Sequence, residues 1–139
     1  MRTIRQIDLE DAEIIASSVI SAAQANGTQV SVAVVDAAGG VIMSKRMDGA
    51  PVGTFAAALE KAVTAAQHGL RTDELAALLK EDHPGLATLP SAVAVGGGVP
   101  ILEAGECLGA IGVSGAPIES DIAFADAAAR AILPQLQAS

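Results

Sequence analysis

In the alanine-rich stretch "GTFAAALEKAVTAAQHG" three of the polar side chains could do chemistry together: Lys61, Thr64 and His68. The spacing i, i+3, i+7 puts them on one face of a helix. An ammonium there binds an anion, and an imidazole shuttles protons near neutral pH. Arg46 ends the preceding apolar run, in "KRMDGA", with Asp48 two residues on. A guanidinium at a strand end grips a carboxylate with two parallel hydrogen bonds. The plainer alternatives are a helix face turned to solvent, and an ion pair of Arg46 with Asp48 or a neighbouring subunit. His83 precedes Pro84 in a loop and reads as solvent-exposed. Cys107 reads as a small buried hydrophobe, with nothing nearby to lower its pKa.

The glycines pose the second question. "GGGVPILEAGECLGAIGVSG", Gly96–Gly115, holds seven of them. A phosphate loop needs G-x-x-x-x-G-K-[ST], and a dinucleotide loop needs G-x-G-x-x-G between strand and helix. Here Gly96–Gly98 lead into Val-Pro and another strand, so both readings fail on context. Gly96–Gly98 instead make a tight reversal. Gly109 and Gly112 mark a bulge or the close approach of another backbone or a ligand. In the ligand version one glycine face forms the floor of a pocket, and Gly97 and Gly98 are candidate ligand-binding residues.

These residues must be positioned by regular elements. Residues 8–26 read as a helix capped by Asp8, with Asn26-Gly27 as its stop. Val30–Val35 and Val41–Arg46 form a hairpin around Asp36–Gly40. A second helix spans 53–68, with Phe55, Leu59, Ala62, Val63 and Ala66 as its core face, and a third about 73–80, capped by Thr72. "EDHPGLATLP" is a loop. Ser91–Val95, Pro100–Glu103 and Cys107–Ser114 read as the third to fifth strands. The last helix, about 120–133, is opened by Ser120 or Asp121, and Glu119 and Asp121 serve as capping acids. It is apolar nearly all round, which calls for cover on both sides, the second from another subunit. Short links imply antiparallel pairs. The expected fold is α+β, a five-stranded antiparallel sheet with helices on both faces, in one domain over 1–139.

Composition narrows the partners. Sixteen acids face eight bases, a net charge of −8, and aromatics are 1%. Neither half of a nucleic-acid surface is present. An anionic membrane is disfavoured, and no apolar run reaches the length of a span. "MRTIRQIDLEDAEII" lacks the apolar centre of an export signal, so a cytoplasmic protein is expected. The lone Cys107 excludes an internal disulfide. No Cys/His cluster has zinc spacing.

Three ordered segments carry a resemblance across residues 9 to 134: "VAVVDAAGGVIMSKRMDGAP", "ALEKAVTAA" and "GGGVPI…GECLGAIGVSGAPIESDIAFADAA". Together they resemble the GlcG/HbpS-like family, also called the heme-degrading domain family. The resemblance implies a profilin-like α/β/α sandwich and assembly into dimers, tetramers or octamers. It matches Arg46 to the family's Arg. It implies an oligomeric small-ligand-binding protein with heme or another tetrapyrrole as the leading ligand. Heme-binding members use a His near the N-terminal helix, and this chain has no His in residues 1–67. If heme is bound, His68 is the better of the two histidines to ligate iron. The second expectation is a cofactor-independent isomerase, tautomerase or lyase acting on a small carboxylate, with Arg46, Lys61 and His68 as its working groups. A third is a scaffolding oligomer without a ligand.

Overall fold

The computed structural model describes residues 1–81 and 83–138; Asp82, in the expected 81–90 loop, and Ser139 lie outside the described residues. Helix α1, Leu9–Ala25, opens on the expected Asp8. Asp8 Oδ1 accepts from Asp11 N and Asp11 Oδ2 accepts from Asp8 N, so two orphan amides are satisfied reciprocally. Strands β1, Ser31–Val35, and β2, Val41–Arg46, pair antiparallel. Their turn is built on Asp36, whose Oδ1 accepts from Ala38 N and Gly40 N. Helix α2, Gly53–His68, ends at Gly69 in the left-handed conformation. Helix α3, Thr72–Lys80, and a 3₁₀ turn at Pro84–Thr88 follow. Strands β3, Gly98–Glu103, and β4, Glu106–Ser114, lead into α4, Ile118–Gln137.

The fold is α+β with one antiparallel sheet, but the sheet has four strands, in the order β2-β1-β4-β3, and not five. The expected strand Ser91–Val95 pairs with no neighbour in the sheet. Its backbone is bonded elsewhere: Val93 N donates to Thr64 Oγ1 on α2, 3.1 Å. Ser91 sits at φ 53°, which breaks an extended run before it can start. Strand β3 begins two residues earlier than expected, because Gly98 is already paired with Gly112. Its outer edge is blunted. Val113 N donates to Gly97 O across the ladder, whereas Gly98 N points outward to Thr72 Oγ1 at 2.8 Å. Alternation then turns the nitrogen of Pro100 outward too, where it has no hydrogen to offer a foreign strand.

Helices cover both faces, and the strand period of two sorts the core. Val32 and Val34 of β1 pack with Ile15 and Val19 of α1 and with Phe124 and Ile132 of α4. Ala33 and Val35 face the other way, onto Ala58, Ala62, Ala65 and Ala66 of α2. The second core is nearly all alanine, so α2 lies close to the sheet. A Cβ on Gly112 would stand 1.9 Å from Ala58 O, and one on Gly98 would stand 2.4 Å from Lys61 O. Close packing of backbone against backbone therefore explains these two glycines. Gly109, at φ 155°, sits where the β3–β4 register shifts, the expected bulge.

Three further expectations change. Thr72 does not cap α3 but lies inside its first turn, with its hydroxyl spent on Gly98 N. Helix α4 runs longer at both ends and is preceded by Pro117, not by Ser120 or Asp121. It buries Phe124, Ala125, Ala128 and Ile132 but leaves Ala123, Ala127 and Ala131 exposed within this chain. No described helix is long and apolar enough to cross a membrane.

Candidate functional site

Helix α2 carries the candidate side chains, and it is rotated from the expected orientation: Ala62 and Ala66 of the expected core face are buried, but Lys61 and Thr64 are buried with them. The buried face is the one bearing Lys61 and Thr64, 4% and 0% exposed, while Phe55 is exposed and Leu59 and Val63 are half-buried. A sheet face lined by Gly98, Gly112 and alanines has no depth for Phe55. It admits the small side chains of α2 and the slim stem of Lys61.

Lys61 reaches the junction between β4 and α4. Its Nζ donates to Val113 O at 2.9 Å and lies 3.6 Å from Asp121 Oδ2. Gly97 is bare beneath it: a Cβ there would meet Nζ at 3.0 Å and Val113 O at 2.4 Å. Asp121, 2% exposed, also accepts from Ala116 N through Oδ1, 3.0 Å, which holds the entry to α4. Burial lowers the Lys61 pKa, with the Asp121 charge opposing. Burial raises the Asp121 pKa, against the Ala116 amide and Lys61. Both shifts penalise the charged forms, so the pair is held by geometry more than by net electrostatic gain. From the sequence Asp121 reads only as a cap. Its partner lies sixty residues away along the chain, and the one available signal is a lone lysine within an alanine-rich helix.

Thr64 and His68 serve a different purpose. Thr64 Oγ1 donates to Glu60 O, 2.8 Å, and accepts from Val93 N. His68 Nε2 lies 2.9 Å from Pro90 O. The two side chains thus strap residues 90–93 along α2. Between strap and helix runs a groove of about 420 Å³, lined by Leu59, Glu60, Val63, Ser91, Ala92 and Val93. A carbonyl only accepts, so Nε2 is the donor of this bond. That leaves a half-buried imidazole outside the groove's lining, tied to the residue next to its wall.

Arg46 and Asp48 stand apart from this helix, at the far end of β2. Arg46 Nη1 donates to Ala50 O, 2.9 Å, and makes no ion pair with Asp48 among the described residues. Both line an open groove of about 630 Å³ with Gln24, Gln29, Lys45 and Met47. The structure therefore brings together Lys61, Gly97 and Gly98, and separately Thr64 and His68. It does not assemble Arg46, Lys61 and His68 into one clamp within the chain. His83 is exposed, as expected. Cys107 is half-buried with its thiol pKa raised by burial, matching an inert thiol. Among the described residues no His, Cys, Asp and Glu cluster fit for a metal ion occurs.

Comparison with known proteins adds a family. The family model described as "Haem degrading protein HbpS-like" matches residues 7–130. Protein GlcG of Escherichia coli strain K12 is 36% identical over 104 residues, covering 71% of this chain and 77% of GlcG. A crystal structure of a double mutant of Streptomyces reticuli HbpS superimposes with a TM-score of 0.88 at 34% identity, covering 95% of this chain and 90% of that one. The crystal structure of a PduOC:heme complex superimposes with a TM-score of 0.83 at 26% identity, covering 92% and 96%.

Proposed function

This chain belongs to the HbpS-like family of haem degrading proteins, and from that premise we propose that it is an oligomeric small-ligand-binding protein whose ligand is heme or another tetrapyrrole. The observation that carries the reading is the PduOC:heme complex, whose fold matches over 92% of this chain. The α2 groove supports it. Leu59, Val63, Ala92 and Val93 supply an apolar wall, and His68, further along α2 and outside the groove's lining, is the candidate iron ligand. When bound, the heme would supply a redox-active iron; Leu59, Val63, Ala92 and Val93 would hold the ring and Pro90 O would orient the His68 imidazole.

Self-association into dimers, tetramers or octamers belongs to the same reading. Its support is the apolar outer stripe of α2, where Val52 and Phe55 are 73% and 41% exposed and continue the line of Leu59 and Val63. A single profilin-like domain over 1–139 and a cytoplasmic setting complete the proposal. The carboxylate enzyme is not carried forward, since its three working groups do not meet in one chain.

Hemin titration followed by absorbance tests the reading. The expected result is a sharp Soret shift that saturates at a fixed ratio to protein and is lost in His68→Ala. A shift that survives His68→Ala would move the ligand off His68. Uptake by the native chain that never saturates would overturn the proposal.

A further inference from the structure

Residues 83–95 lead from α3 to β3 and lend nothing to either core: all are half-buried or exposed, with Leu89 and Val95 among the exposed. Among the described residues, two hydrogen bonds tie this stretch to other elements, and both end on α2. His68 Nε2 meets Pro90 O at 2.9 Å, and Thr64 Oγ1 receives Val93 N at 3.1 Å. The bonds from Leu86 N, Leu89 N and Thr88 Oγ1 all close within the stretch. A segment with few buried contacts and few outside bonds opens at a small fraction of the free energy of global unfolding.

Its ends are held better than its middle. Downstream, Gly97 O accepts from Val113 N at 2.9 Å and Gly98 N donates to Thr72 Oγ1 at 2.8 Å, which fixes the chain where it enters β3. Upstream, His68 holds Pro90. Between these anchors Val93 has a single bond, the longest of the four. Ser91 supplies a joint, since it stands at φ 53°, a conformation that side chains disfavour and that a swing of the chain relieves. Once released, Val93 N meets water, because the residue is only half-buried, and Thr64 Oγ1 keeps its bond to Glu60 O. Opening therefore strands no polar group.

Ser91, Ala92 and Val93 are also one wall of the α2 groove. With that wall in place the groove measures about 420 Å³, which at roughly 30 Å³ per water-sized group is room for about fourteen, fewer than the ring atoms of a tetrapyrrole. The opposite wall is α2 itself, seated main chain to main chain on the sheet. The wall free to move is the one held by Thr64.

We propose that residues 91–95 are a flap, latched by Thr64 and jointed at Ser91, whose opening admits the ligand to the α2 groove. The proposal rests on the reading of that groove as the ligand site and concerns how the site is entered.

The test reads the flap with and without ligand. In the ligand-free native chain, one bond should slow amide exchange of Val93 only about tenfold, and low urea should leave that rate unchanged. Val113 N, bonded to Gly97 O, should be protected far more and lose protection as urea rises. A thiol at Leu59→Cys, in a Cys107→Ala background, reports access to the groove by its rate of maleimide labelling. Thr64→Val removes the acceptor and should speed labelling about tenfold, whereas Thr64→Ser keeps the hydroxyl and should label near the native rate. Hemin association should quicken by the same factor in Thr64→Val. Val93 protected as well as Val113, labelling unchanged in Thr64→Val, or labelling raised equally by Thr64→Ser would each overturn the proposal. So would hemin uptake at the native rate in Thr64→Val. A native chain that takes up no hemin, with exchange and labelling as expected, would overturn the tetrapyrrole reading while supporting the flap as the gate of the groove.

Discussion

Replacing Gly112 by alanine probes the close seat of α2 on the sheet. The added Cβ would stand 1.9 Å from Ala58 O, 2.7 Å from Ala62 N and 3.0 Å from Ala58 C. All three are main-chain atoms of a helix, so no side-chain rotation relieves the clash. Ordinary contact starts at 3.4 Å, so α2 must retreat by about 1.5 Å. That retreat opens space beneath Ala58, Ala62 and Ala65 and draws Lys61 Nζ away from Val113 O. Overpacking costs about 1–3 kcal/mol and a lost buried bond to a charged donor about 1.5 kcal/mol, so the total is about 2.5–4.5 kcal/mol. For a chain of this length the melting temperature should drop by roughly 10–15 °C. Gly53→Ala is the control. Gly53 opens α2, a Cβ there would meet nothing within 4 Å, and the change should be neutral or gain a few tenths of a kcal/mol. Thermal melts by circular dichroism read both. A Gly112→Ala protein melting within about 2 °C of the native chain would refute the close-approach account.

The remaining predictions concern the Lys61–Asp121 pair. Lys61→Met or Asp121→Leu alone should destabilise by about 3–5 kcal/mol, because each strands a buried charge, whereas the double replacement should return to within about 1 kcal/mol of the native chain; urea midpoints across the four proteins measure the cycle. The pair also fixes a pH dependence. The folded Lys61 pKa lies below its ordinary 10.5, so between the two values the unfolded chain binds more protons and stability rises with pH. Lys61→Met should remove that alkaline rise. The folded Asp121 pKa lies above its ordinary 3.8, so its contribution is present in acid and lost as pH climbs through the folded value, and Asp121→Asn should remove that loss. A urea-midpoint profile against pH that is the same in native and variant proteins would sink both assignments.

Much of the fold is legible in the sequence because its signals are local. Asp8 caps α1, Asn26-Gly27 stops it, and Asp36 turns the hairpin, each through bonds a few residues long. The glycines of β4 read as a bulge or a close approach, and both occur, at Gly109 and Gly112. Ser91–Val95 misleads because an apolar run carries no mark of what its amides will meet, and here Thr64 takes one of them. Family membership is also readable, since three ordered segments span most of the chain.

The order of elements, their caps and the antiparallel plan thus follow from residues near one another along the chain. Which side of α2 faces inward does not. That helix has two candidate stripes, and hydropathy favours the one with Phe55, Leu59 and Val63. Glycines of β3 and β4 bring the sheet close, so the alanines pack deepest and carry Lys61 and Thr64 in with them, while Leu59 and Val63 stay half-buried at the margin and Phe55 is left exposed. Asp121 as the partner of Lys61, and Arg71 beside Arg130, arise in the same way. Each pairing depends on how far apart two backbones settle, and only tertiary packing sets that distance.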